Sequence, residues 1–182
     1  MTAPTAYLFT SSRLGFRPWQ DSDTDVFAEM GADPRVMEFF PALQSRAEAE
    51  AFIARMQQHQ SEKGFCYYAV DLLETRSFIG FIGLLTKDFE AHFTPCVDIG
   101  WRLHPSAWGQ GLATEGAARC LRHGFEDLGL ERIYSMAPLV NEKSEAVMRK
   151  IGMQRIGTFQ HPRLLNDDRL RDCVLYGKTR TA

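Results

Sequence analysis

Apolar residues alternate loosely from Tyr7 to Pro18, at Leu8, Thr10, Leu14 and Phe16, which predicts a first strand. Asp21 or Ser22 then stands as the cap of a helix running to about Gly31, and Asp33-Pro34 begins a further helical turn. Ser45-Arg46-Ala47-Glu48 has capping-box spacing, so a longer helix is expected from there to Lys63-Gly64. Two β-rich runs, Phe65–Leu73 and Ser77–Leu85, flank Glu74-Thr75-Arg76 and predict an antiparallel hairpin. Phe93 to His104 reads as another strand, closed by a turn at Pro105-Ser106. Ala113, Ala117, Leu121, Phe125 and Leu128 fall on one helical stripe, which Gly129 ends. A strand at Arg132–Ala137, a helix at Asn141–Ile151, and strands at Met153–Phe159 and Arg171–Lys178 complete the pattern.

Helices early, a central antiparallel meander, then β-α-β-α-β-β make an α+β or mixed-sheet domain rather than a doubly wound parallel sheet. At 182 residues, without repeat or linker, one domain over 1–182 is expected. The net charge of −2 lacks the basic stripe that nucleic acid calls for. No apolar run reaches membrane-span length, and Met1–Ser12 has neither the basic nor the apolar region of a signal peptide. Cys66, Cys96, Cys120 and Cys173 are far apart and have apolar neighbours. They read as buried free thiols rather than metal ligands, which points to the cytoplasm.

Asp98 to Gly116, DIGWRLHPSAWGQGLATEG, carries the most specific chemistry. A strand leads through a bend into a glycine-rich turn that opens a helix, so several backbone N–H groups converge at the positive end of a helix dipole. Such a spot suits a phosphate. The Walker A pattern fails because Ala117 and Ala118 follow Gly116 where Lys and Ser/Thr are required. The dinucleotide pattern fails because Thr114 takes the third glycine position, and Glu131 precedes the next strand instead of following it. Two readings survive: a loop that holds phosphates by amides alone, and a strand-to-helix turn with no ligand.

About thirty residues on, Asn141-Glu142-Lys143-Ser144 opens a helix that ends at Lys150-Ile151-Gly152-Met153. Taken alone, Asn141 fits a plain N-cap and Ser144 a first-turn residue. The two segments together closely resemble the GNAT superfamily of acyl-CoA-dependent N-acyltransferases, in particular its ribosomal-protein N-terminal acetyltransferase branch. Arg13, Leu14, Arg17, Pro18 and Trp19, the run Asp33–Met37, and Arg171, Asp172 and Tyr176 extend the likeness over nearly the whole chain.

The resemblance implies a strongly bent mixed sheet of about seven strands, flanked by about four helices. It would splay into a V between the Phe93–His104 and Arg132–Ala137 strands. Acetyl-CoA would lie in that V, against the backbone of Trp101 and Leu103. Its pyrophosphate would rest on the amides of Trp108, Gly109, Gln110, Gly111, Leu112, Ala113 and Thr114, and Asn141 would reach the pantetheine arm. Trp108 replaces the polar residue that often starts the loop, so the cradle there would be backbone only. No metal is implied, and either a monomer or a homodimer would be in keeping.

The resemblance also gives Ser144 as the proton donor to the departing thiolate, because Met148 fills the position where many relatives carry Tyr. Tyr134 and Tyr176 are reserve donors. Asp98 is the candidate base, although an acid there could equally be solvated or paired with Arg102. An α-amine needs less help from a base than a lysine amine, with pKa values near 8 and 10.4, so a peptide N-terminus is the favoured acceptor. Small amines stay open. So does a non-catalytic acyl-CoA-binding module, in view of Trp108, Met148 and the ambiguous base. Trp19, Phe39, Phe40, His92, Phe93, His161 and Arg163 are candidate lining residues of the acceptor pocket, though core packing explains the aromatics as well.

Overall fold

The computed structural model describes residues 6–180. Eight strands form one sheet: β1 (Phe9–Thr10), β2 (Leu14–Arg17), β3 (Tyr67–Leu72), β4 (Ser77–Lys87), β5 (Cys96–Leu103), β6 (Arg132–Pro138), β7 (Gln154–Gln160) and β8 (Asp172–Thr179). Four helices flank it: α1 (Thr24–Ala32), α2 (Arg46–Lys63), α3 (Leu112–Arg122) and α4 (Glu142–Lys150). The strand order is β1-β2-β3-β4-β5-β6-β8-β7, antiparallel at every joint but one. At that joint β5 and β6 run parallel and share a single register pair, Asp98 with Tyr134. This is the α+β domain with a mixed, splayed sheet that the sequence implied, with one strand more.

The extra strand comes from the first predicted run. Ser11-Ser12-Arg13 turns the chain, so β1 and β2 pair with each other where one strand was expected. The first cap also differs. Gln20 and Asp23 exchange the capping hydrogen bonds across a short 3-10 turn, and α1 begins only at Thr24. Asp33–Met37 closes one turn, through Val36 and Met37 N–H to the Asp33 carbonyl, without propagating. Ser45 and Glu48 cap α2 reciprocally as the spacing predicts, a device worth about 1 kcal/mol. The strand expected from Phe93 starts at Cys96. The stripe after the glycine loop is α-helical to Arg122 and widens into a π-helical turn at His123–Asp127 before Gly129.

Alternation along β4 sends neighbouring side chains to opposite faces. Phe81 joins Trp19, Phe27 and Phe52 under α1 and α2, with ring centroids 4.9 Å apart for Trp19–Phe27 and 5.3 Å for Phe52–Phe81. Ile82 faces α3, where Gly116 lies so close that a Cβ there would meet Ile82 Cδ1 at 2.3 Å. The sheet is thus buried on both faces at its centre, and the β5–β6 fork sits between the two layers. No helix among the described residues is long and apolar enough to cross a membrane.

Candidate functional site

The fork is held at its apex. Ser135 Oγ, on β6, donates to the Ile99 carbonyl at 3.0 Å, and both groups are buried. Beyond this point the two arms separate. The Ile99 carbonyl faces β6, so the alternation of the ladder turns the backbone of Trp101 and Leu103 toward the same open edge. The Trp108 indole N–H takes the Leu103 carbonyl at 2.8 Å. Of the two residues expected to meet pantetheine, Trp101 has no register partner on β6 among the described residues, and at Leu103 the carbonyl is already taken by Trp108.

Past β5 a short 3-10 turn at Pro105–Ala107 is capped by the His104 ring and followed by the loop. Gly109 and Gly111 have φ of 72° and 76°, a region that costs other residues roughly 1–2 kcal/mol. Gly111 is the N-cap of α3 and offers no side chain to the first turn. Among the described residues, Glu115 is the first after the loop whose N–H finds a carbonyl, that of Gly111 at 3.0 Å. The amides of Gly109 through Thr114 find no partner among the described residues, at a helix N-terminus that fits an anion. The Trp108 N–H, also expected in the cradle, is instead spent on the Pro105 carbonyl at 3.1 Å. Arg13 braces this cradle from the β1–β2 turn, donating to the Gln110 carbonyl at 3.0 Å and to Glu115 at 2.7 Å. Lys143 of α4 reaches back across the fork, its Nζ 5.9 Å from the Trp108 ring.

Asp98 lies at the apex, only 4% exposed. Its Oδ2 accepts a short hydrogen bond from the Tyr67 hydroxyl and sits 3.9 Å from Lys87 Nζ. Its Oδ1 is buried and has no partner among the described residues. The pairing with Arg102 that the sequence left open does not occur. Tyr67 reaches Asp98 from β3 by crossing β4 and lying over Gly100 of β5, whose lack of a side chain makes that path passable. A Cβ there would stand 3.0 Å from the Tyr67 ring and hydroxyl. Burial raises the Asp98 carboxyl from 3.8 to about 6, with the Lys87 charge and the Tyr67 hydrogen bond pulling the other way. Tyr67 and Lys87 escaped the sequence reading because only cross-strand register brings them to Asp98.

On α4, Asn141 is an N-cap: its Oδ1 accepts from the Ser144 N–H at 3.0 Å, and its amide N–H₂ has no partner among the described residues. Ser144 is half-buried, and its hydroxyl has no partner among the described residues. Met148 is buried in the core. Tyr176 donates to Glu145 at 2.8 Å, which ties up that reserve donor. Tyr134 stands at the apex beside Asp98 in the register, with its ring 5.6 Å from Phe93.

Residues 33–45 and 161–171, which carry several of the candidate lining residues, meet where Arg169 donates to the Glu38 carbonyl. Phe93 and His161 cluster with Phe89 and Phe159: Phe93–Phe159 is 4.9 Å and Phe89–His161 4.5 Å. Trp19 proves to be core, whereas Phe40 is 39% exposed. Cys66, Cys96, Cys120 and Cys173 are buried free thiols, each raised by desolvation. Among the described residues no three His, Cys, Asp or Glu side chains gather to hold a metal.

Residues 13–154 match the acetyltransferase (GNAT) domain family. The chain is 32% identical over 152 residues to the "Uncharacterized N-acetyltransferase YnaD" of Bacillus subtilis, covering 83% of this chain and 85% of YnaD. It superposes on the ribosomal-protein-S5-alanine acetyltransferase of Vibrio fischeri with a TM-score of 0.74 at 18% identity, covering 94% and 95% of the two chains. It superposes equally well on the spermidine N-acetyltransferase of Vibrio cholerae, solved with CoA and spermine: TM-score 0.72, 18% identity, 92% and 96% covered. At such identities these two structures share the fold. One is named for a protein alanine and the other for a polyamine, so the fold by itself does not choose an acceptor.

Proposed function

Because the chain belongs to the GNAT acetyltransferase family, with acetyl-CoA as its acyl donor, we propose that it acetylates a peptide N-terminal α-amine from the β5–β6 fork. The observation that carries this reading is Asp98, a buried carboxylate with one oxygen unclaimed at the apex of the fork. The open amides of Gly109–Thr114 and the backbone of Trp101 support a pyrophosphate and an extended arm leading to that apex. The amide N–H₂ of Asn141 and the N–H of Leu103 add contacts to the arm.

Bound acetyl-CoA supplies a thioester carbon open to attack by an amine. Asp98 Oδ1 takes the proton that the amine must lose, and a backbone N–H on the open edge of β5 stabilises the charge gathering on the acyl oxygen. Ser144 Oγ donates a proton to the leaving sulfur as it takes one up from the nitrogen of the tetrahedral intermediate, directly or through water, so that its hydroxyl is restored. A carboxyl near 6 is ionised at neutral pH yet basic enough to act. Moving a proton to it from an α-ammonium near 8 costs about 3 kcal/mol, but from a lysine-type ammonium near 10.4 about 6 kcal/mol. That gap favours the α-amine.

The test offers acetyl-CoA with two peptides of one sequence, one with a free N-terminus and one with a blocked N-terminus and a single lysine. Thiol release should favour the free N-terminus at least about tenfold in kcat/KM at pH 7.5. Equal or reversed rates would sink the α-amine reading. Asp98→Asn should cost roughly 10²–10³-fold in kcat if the base assignment holds.

A further inference from the structure

Arg102 stands on the same face of β5 as Asp98, four residues along. It is 8% exposed. The rings of Phe27, Phe40, Phe52 and Phe81 surround its guanidinium, with centroids at 4.8, 5.0, 5.7 and 5.3 Å. Nη1 donates to Met37 Sδ at 3.0 Å and to Gln44 Oε1 at 3.2 Å, both uncharged. Nε is buried without an acceptor. Among the described residues no carboxylate lies within ion-pair distance of it, and desolvation drops the group from 12.5 to about 10. The aromatic rings soften the burial of a cation without neutralising it.

The same chain shows how it settles a structural arginine. Arg17, as deeply buried, holds Asp23 and Asp71 through four hydrogen bonds of 2.7–2.8 Å. Arg102 has no such pair. Its two partners, Met37 and Gln44, belong to the 33–45 segment that carries candidate lining residues of the acceptor pocket, and the exposed Phe40 covers it there. A guanidinium with unspent donors in a planar fork matches a carboxylate in both charge and shape.

We propose that Arg102 binds a carboxylate of the acceptor, making this an acetyltransferase for acidic peptides. The inference rests on the reading that the amine meets Asp98. Four residues of strand separate the two side chains by on the order of 13 Å. That is the reach of about three to four extended residues, so the carboxylate belongs at the third or fourth residue of the acceptor.

The experiment uses alanine-led peptides of equal length: a neutral control, and four others with a single Asp at position 2, 3, 4 or 5. Steady-state rates are measured with the wild-type protein, Arg102→Gln and Arg102→Lys. Binding of the same peptides to the CoA-saturated proteins is measured by calorimetry. Asp at position 3 or 4 should lower KM at least tenfold relative to the control, with kcat little changed. Arg102→Gln should collapse that advantage, and Arg102→Lys should restore part of it, which a merely structural role would not do. Equal KM across the wild-type peptides, or an advantage that survives in Arg102→Gln, would overturn the proposal. So would a larger effect of Arg102→Gln on acetyl-CoA binding than on acidic-peptide binding, since the arginine would then serve the donor. If no peptide is acetylated, the α-amine reading fails on its own. Calorimetry still decides for Arg102, by the presence or absence of Arg102-dependent binding of the acidic peptides.

Discussion

Two stretches of this chain read almost alike, Gly15-Phe16-Arg17 in β2 and Gly100-Trp101-Arg102 in β5. Each places an arginine after an aromatic residue in a strand, and each arginine is nearly sealed from water. Their surroundings differ completely. Burial works against the charge of Arg17, but hydrogen bonds and charge from Asp23 and Asp71 more than offset it and raise its pKa well above 12.5. Arg102 has only aromatic faces, a thioether and an amide, and its pKa falls. A satisfied buried charge belongs to the fold, whereas an unsatisfied one is poised for something that arrives. Asp98 lies between them, with one oxygen held by Tyr67 and the other unclaimed.

The contrast predicts opposite responses to truncation. Arg17→Met strands two buried carboxylates and should lower unfolding free energy by about 3–5 kcal/mol in urea titrations. Asp98→Asn should act in the other direction, and only at higher pH. The folded carboxyl holds its proton more tightly than the unfolded one. Its stabilisation is therefore complete below about pH 3.8 and is lost as pH rises through about 6. The variant escapes that loss, so its stability relative to wild type should grow by about 3 kcal/mol between pH 3 and pH 8. A flat difference would mean that Asp98 is not strained by burial.

Arg102→Met leaves no partner charge behind and should stay within about 1 kcal/mol of wild type, or exceed it. A loss as large as that of Arg17→Met would erase the distinction between the two arginines. The smallest effect concerns Tyr67. The acid limb of kcat/KM should lie near pH 6, and Tyr67→Phe should move it upward by less than about one unit, because the Tyr67 hydrogen bond holds the Asp98 carboxyl down. An unmoved limb would show that Tyr67 only fills space.

Local signals in the sequence carried far. The Ser45–Glu48 cap, the glycine loop and most strands announce themselves through spacing that short-range physics enforces. The β1–β2 turn was missed because Ser11-Ser12-Arg13 carries no glycine or proline to mark it. Glu115 fixes that turn from more than a hundred residues away, by accepting from Ser11 Oγ and the Arg13 N–H. The Tyr67–Asp98–Lys87 group was out of reach for the same reason, since no periodicity within one strand encodes the register between three. The two arginines are the sharpest case. What separates them is the position of Asp23 and Asp71 beside one and of Phe27, Phe40, Phe52 and Phe81 around the other, and neither set is adjacent in sequence.

The single rung between β5 and β6 leaves the sheet with unspent pairing capacity in its own interior, where edges are normally closed. An open edge on the outside of a protein invites another chain and leads to aggregation. This one lies inside the fold, guarded by Ser135 at one end and Trp108 at the other. On the reading proposed above, the extended, amide-bearing arm of acetyl-CoA would join it. In that sense the protein is a sheet one strand short, which its donor would complete for the length of a turnover.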